Sequence, residues 1–173
     1  MIYKIVNFDD CNKKKWNQLV EKMSGNLHFY TWNKINYLNK VTKTKSLSFG
    51  IFEGNTCLAL VALGKEDLKN SKIFSFGLDY CPEPILNAKL TTHEKRKVQN
   101  NLRTIIEEIA KKNNVKEYRI RSHPVVFKNK KIFLSSEDQF YQIKFSKEFF
   151  THNTIILNLE NSVEKIWNNL SKT

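Results

Sequence analysis

The sequence predicts an α/β protein of the α+β kind, in which a mixed, largely antiparallel sheet is flanked by helices on both faces. Three observations predict it. Residues 56–63 are apolar on both sides of a strand, with Leu58, Leu60 and Ala62 alternating against Cys57, Ala59, Val61 and Leu63. Such a strand is central and covered twice. Residues 47–63 read as a hairpin around the two-residue turn Gly54-Asn55. Two stretches, residues 16–23 and 98–110, carry apolar residues at helical spacing, and each stripe needs a layer to cover it.

The elements follow in order. Residues 2–6 form a short first strand. Asp9 or Asp10 caps a helix with Trp16, Leu19, Val20 and Met23 on one face, and Gly25 ends it. A second helix spans residues 31–40, with Ile35 and Leu38 inward. After the hairpin, residues 72–78 form a fourth strand, followed by an irregular stretch holding Pro82 and Pro84. Thr91 and Glu94 have the spacing of a capping box for a long helix with Val98, Leu102, Ile105, Ile106, Ile109 and Ala110 along its stripe. That helix frays at Asn113-Asn114. A strand over residues 115–121 sets Tyr118 and Ile120 against Arg119 and Arg121. Residues 123–150 read mostly as loop, with a strand at 140–145. Residues 154–159 then form a buried strand, and Asn161 starts a helix with Val163, Ile166, Trp167 and Leu170 on one stripe.

Composition narrows the function. A chain of 173 residues, 40% hydrophobic and 12% aromatic, builds one globular domain with its own core. No apolar run reaches the roughly 18 residues of a membrane span, and the first residues lack a signal-peptide core, so a cytoplasmic protein is expected. Cys11, Cys57 and Cys81 are odd in number and far apart, which favours reduced thiols and makes Cys57 a small core residue. The net charge of +12 raises a nucleic-acid role. Against it, only Arg96, Arg103, Arg119 and Arg121 are arginines, and lysine lacks the planar fork that reads phosphate or guanine bidentately. His28, His93, His123 and His152 share no ligand spacing, and no metal site is expected.

Two stretches resemble a known family. Residues 154–172 (TIILNLENSVEKIWNNLSK) look like the mid-chain join of FemAB-type proteins, the aminoacyl- and acyltransferases built from two tandem GNAT-like halves. In that family a strand ending in Asp/Asn-Leu, an acidic turn and a Leu-Ser-Lys helix lead into the second half. Residues 26–32 (NLHFYTW) are similar to the family's aromatic stretch at the start of its second helix. The predicted element order agrees with the GNAT fold. The resemblance implies that residues 1–153 are a single GNAT-like domain and that residues 154–173 would lead into a second half. The stripe at 162–172 would then be covered by that half or by self-association.

The resemblance also implies an activity: transfer of an acyl group to an amine acceptor such as a small molecule or a cell-wall precursor, with acyl-CoA or aminoacyl-tRNA as co-substrate. A GNAT fold holds the acyl donor where its fourth and fifth strands splay apart, its pyrophosphate on a Gly-rich loop at the following helix. The matching residues, 79–91, contain no glycine, and Gly77 lies inside the expected strand. Donor binding by this half is therefore not expected, and the chain reads mainly as the acceptor-binding half. Tyr80 leads the candidate contacts, joined by Asp79, by Tyr30 and Lys34 at the second helix, and by Arg119 and Arg121 on the strand. Each competes with a plainer role: Tyr80 as a cap on the sheet edge, Lys34 as a solvated helix lysine, the arginines as edge-strand charge. Asp79 and Glu83 are carboxylates able to take an amine proton. Cys81 reads as a packing residue. A non-catalytic GNAT-like binding module, or a basic RNA-associated protein, are the competing readings.

Overall fold

In the computed structural model, residues 3–24, 27–77, 80–121, 125–128 and 131–134 are described, and all of them lie in the first of two units, Met1–Ser136. The expected strands at 140–145 and 154–159 and the helix from Asn161 lie outside the described residues. The elements run β1 (Lys4–Asn7), α1 (Lys13–Val20), β2 (Met23–Ser24), α2 (Trp32–Thr42), β3 (Lys45–Ser46), β4 (Phe49–Glu53), β5 (Thr56–Val61), β6 (Gly64–Asp67), β7 (Lys72–Phe74), β8 (Cys81–Pro82), β9 (Ile85–Asn87), α3 (Thr92–Lys112), β10 (Glu117–Tyr118), β11 (Ile120–Arg121), β12 (Val125–Lys128) and β13 (Lys131–Leu134).

The five strands β1-β4-β5-β9-β2 form an antiparallel sheet in that order, and β10-β7-β6-β3 a second group. The two groups share a long hairpin. Phe49 faces Val61, Ser46 faces Gly64, and between them the Leu47 N–H donates to the Leu63 carbonyl at 2.8 Å. The hairpin therefore runs on through β3 and β6 in one register. Its return strand is buried from Cys57 to Gly64, and Ala59, Leu60, Val61, Ala62 and Leu63 are fully enclosed. Both of its faces are covered, as double-sided apolarity requires, and the core takes Trp16 and Leu19 from α1, Ile35 from α2, and Val98 and Leu102 from α3. The sheet is mixed and largely antiparallel, with β10 parallel to β7 and β11 parallel to β8. No described helix is long and apolar enough to cross a membrane.

Several local expectations change. The first helix starts at Lys13, with the Asn12 side chain accepting from the Lys15 N–H at 2.8 Å, and not at Asp9 or Asp10. Those aspartates sit in a 3-10 turn, Phe8–Asp10, because Phe8 is drawn into the core. Its ring meets Trp16 edge-on at 4.8 Å and stacks on Trp32 at 4.2 Å. Helix α1 ends at Val20, so Met23 is buried from a strand that pairs with β9. The fourth strand stops at Phe74 and not at residue 78; Gly77 has φ +71°, and a Cβ there would meet Thr42 at 2.8 Å. Residues 123–150, read mostly as loop, contain the β12–β13 hairpin.

Helix α3 matches its expected start and corrects its expected end. Glu94 N–H donates to Thr91 Oγ1 at 3.3 Å, while Thr91 N–H and Oγ1 both donate to Glu94 Oε2 at 2.8 Å. At the other end the helix does not fray. Asn114 adopts φ +56°, its N–H bonds the Lys111 carbonyl at 3.2 Å and the Val115 N–H bonds the Ala110 carbonyl at 2.9 Å, which is a Schellman closure. Thr91→Ala should cost about 1 kcal/mol, lowering the melting temperature by about 2–4 °C in a scanning calorimeter. The Thr91 backbone N–H and hydroxyl also hold the Glu94 carboxyl below the usual carboxylate range. Its contribution is present above the unfolded-state pKa and is lost as pH falls through the folded one.

Candidate acceptor site where two parallel strands diverge

The site is built on a branch in the sheet. At its lower end β10 lies beside β7, Glu117 facing Ile73 and Tyr118 facing Phe74, and the Arg119 N–H extends the ladder to the Phe74 carbonyl at 3.0 Å. Above this point the two parallel strands part. The central strand takes β9 as its neighbour, Leu60 facing Ile85 and Ala59 facing Leu86. The strand from α3 instead follows β8: the Cys81 N–H donates to the Arg119 carbonyl at 2.8 Å, and Arg121 faces Pro82. Residues 80–84 thus fill the branch with backbone that belongs to neither main ladder.

This pairing brings some expected site residues together. Tyr80 is 39% exposed, and its chain neighbour Cys81 is bonded to Arg119, which is itself exposed. Arg119 Nε donates to Glu117 Oε1 at 2.6 Å. That bond, with the charge of Glu117, raises the guanidinium pKa, and the Tyr80 hydroxyl and Glu66 act in the same direction. The result is an exposed phenol, guanidinium and carboxylate around one strand end. Arg121 has its backbone in β11 beside Pro82, its side chain lying outside the described atoms, and Asp79 also lies outside the described residues.

Others sit elsewhere in the architecture. Tyr30 is fully enclosed: its carbonyl accepts from Trp16 Nε1 at 2.7 Å and its hydroxyl donates to the Glu83 carbonyl at 2.5 Å. It ties the 3-10 turn before α2, Leu27–Tyr30, to the 80–84 segment and offers no surface to a ligand. Lys34 is half-buried, its ammonium 5.5 Å from the Tyr37 ring centre and 5.7 Å from that of Phe29, so aromatic faces already hold this cation. Cys81 is fully buried, and burial pushes its thiol up to about 12, which makes it a packing residue at neutral pH. Cys11 and Cys57 are likewise buried and free.

Two residues of this region were not singled out from the sequence. Glu117 partners Arg119 from two positions away, and the period of two along a strand, which sets both on one face, was the signal that could have found it. Tyr118 meets Phe74 edge-on at 5.9 Å, and its hydroxyl is buried with no hydrogen-bond partner among the described residues. The alternation of Tyr118 and Ile120 against Arg119 and Arg121 was the signal that it points inward.

No family profile and no curated protein matches the sequence. Among solved structures, a possible acetyltransferase from Clostridium difficile 630 superposes with a TM-score of 0.51 at 9% identity, over 91% of this chain and 100% of its own. A GNAT family acetyltransferase from Staphylococcus aureus subsp. aureus USA300_TCH1516 gives 0.45 at 17% identity, over 88% and 98%. The chain has a GNAT-like fold.

Proposed function

We propose that this chain is an acyl- or aminoacyltransferase of the FemAB/GNAT type and that it acts mainly as the acceptor-binding half. The observation that carries this reading is the start of α3, within a GNAT-like fold. There the backbone N–H groups of Thr91 and Glu94 are each already engaged by the other residue's side chain. A pyrophosphate at that helix start would have to displace the Glu94 carboxylate, and residues 79–91 supply no glycine to close around it. Donor binding then falls to a second GNAT-like half, joined through residues 154–173 or supplied by association.

In the reaction, the acceptor amine attacks the acyl carbonyl carbon, a C–N bond forms, and the C–S bond of a thioester or the C–O bond of an aminoacyl ester breaks. The thiol or hydroxyl leaves, and the amine gives up a proton. Tyr80 and Arg119 carry the proposed acceptor surface, with Asp79 and Arg121 as further proposed contacts; Arg119 suits a carboxylate or phosphate on the acceptor, and Glu117 or Asp79 suits its ammonium. The positive charge of the chain favours an anionic co-substrate, either acyl-CoA or aminoacyl-tRNA.

Calorimetry with acetyl-CoA tests the assignment of halves. The chain alone should show no heat of specific binding. A dissociation constant in the low micromolar range, about −8 kcal/mol, would make it a self-sufficient acetyltransferase instead. A chain that binds neither acetyl-CoA nor any amine acceptor in a parallel titration would be the non-catalytic binding module.

A further inference from the structure

We propose that the outer face of α2 binds a single-stranded nucleic acid, stacking an unpaired base on Tyr37 and meeting its phosphates with Lys40 and Lys43. The inference uses none of the residues of the acceptor surface and does not depend on acyl transfer being the activity. It starts from exposure. Tyr37 and Val41 are each 59% exposed, more than any other large apolar side chain among the described residues. They lie one turn apart on α2, whose other face buries Ile35 and Leu38. Neither belongs to the core or to the side chains packed on it, so packing gives no reason for a ring and a branched aliphatic at these positions.

The exposed ring is held in place. The Lys34 ammonium, one turn earlier, lies 5.5 Å from the Tyr37 ring centre and 5.7 Å from that of Phe29, which is itself packed against the core. One cation thus ties Tyr37 to the body of the domain, and less side-chain freedom is lost when a ligand lands on it. The charge around the ring has one sign. Residues 22–52 hold five lysines and neither aspartate nor glutamate, although the chain has 17 acidic residues among 173. Lys40 and Lys43, exposed on the last turn of α2 and at its cap, make no ion pair among the described residues. A ring face among unpaired cations matches a single strand, in which every base has a flat face to stack and every phosphate a charge to neutralise. A duplex hides its base faces, and an acidic peptide would need the cations but not the ring. Two apolar side chains beside Asn33 and Asn36 are too few to enter a membrane. The scarcity of arginine weighs against reading a base sequence, whereas stacking with point charges needs no guanidinium fork.

Fluorescence anisotropy of an end-labelled oligouridylate of about twelve nucleotides, titrated with the full chain at several KCl concentrations, tests this. Tyr37→Ala should weaken binding roughly tenfold, the effect of losing one stacked base, with a thermal melt matching wild type. Tyr37→Phe keeps the ring and should bind as wild type does. Replacing Lys40 and Lys43 together by Gln should lower the slope of log affinity against log salt by about 1.4, the share of two single-strand phosphate contacts. The same charge change at Lys13 and Lys14, exposed on α1, should leave that slope unchanged. Undiminished affinity in Tyr37→Ala overturns the stacking face. An equal loss of slope in the two lysine pairs overturns the location and leaves only the general charge of the chain. A duplex of the same length carries charge more densely, so charge alone would favour it; the single strand should nevertheless be the better competitor, and a duplex that competes equally overturns the assignment to unpaired bases. Phosphatidylserine vesicles that bind the chain through Tyr37 while the oligouridylate does not bind would overturn the proposal in favour of a membrane surface.

Discussion

Leu60→Asp is expected to leave the chain without a cooperative folded state. Leu60 is fully buried in β5, facing Gly50 on one neighbouring strand and Ile85 on the other. A Cβ on Gly50 would come within 3.0 Å of Leu60 Cδ2, so the leucine fills space that a glycine opposite leaves open. Truncating a buried leucine costs about 2–5 kcal/mol. Placing an unpaired carboxyl there adds its desolvation, whether it is held protonated or ionised. A domain of this size has only about 5–15 kcal/mol in hand. Circular dichroism should show no sigmoidal melt for the variant, with the protein recovered as aggregate. A soluble variant that melts within a few degrees of wild type would mean that β5 is not the central strand.

The same strand shows what the sequence makes legible. Its apolar run is long enough to announce a central position, and the turn at Gly54-Asn55 fixes the hairpin, so register and layer follow from period two. The run ends for the reader at Leu63, because Gly64, Lys65, Glu66 and Asp67 look like a solvated turn. Yet β6 continues the same strand, and its half-exposed residues pair with β7 at the sheet's end. Cys81 and Pro82 gave no strand signal either, since their pairing with Ile120 and Arg121 is parallel and comes from beyond α3. Non-local pairing of two residues leaves no periodicity to read. For the candidate site, Tyr80 and Arg119 were recognisable as residue types, but their adjacency exists only through the Cys81–Arg119 bond. Tyr30 shows the converse: its aromatic context suggested a contact surface, while the demands of Trp16 and Glu83 for hydrogen bonds draw it into the interior. Asn12 displaced Asp9 and Asp10 as the cap for a related reason, the burial of Phe8.

Gly64→Ala is expected to be strongly destabilising although it adds a single methyl group. A Cβ on Gly64 would lie 2.5 Å from the Ser75 carbonyl oxygen and 2.6 Å and 2.8 Å from Cδ1 and Cε1 of Phe76. The first of these is backbone, and the second belongs to a fully buried ring, so neither neighbour yields by rotating a free side chain. Gly64 does not need glycine for its backbone angles, because its φ is not positive; the requirement is closeness alone. Here the Ser75 N–H donates to the Gly64 carbonyl at 2.8 Å, and the two strands must separate to admit the methyl group, weakening that bond as they do. Overpacking costs about 1–3 kcal/mol, and a weakened buried hydrogen bond adds about 1 kcal/mol. Gly54→Ala supplies the comparison: Gly54 has φ +57° with nothing within 4 Å of its added Cβ, so that change carries only the conformational cost of about 1 kcal/mol. Urea unfolding of both variants should therefore place Gly64→Ala well below Gly54→Ala in midpoint. Equal midpoints would show that β6 and the chain at Ser75 do not approach as closely as the Gly64 geometry requires.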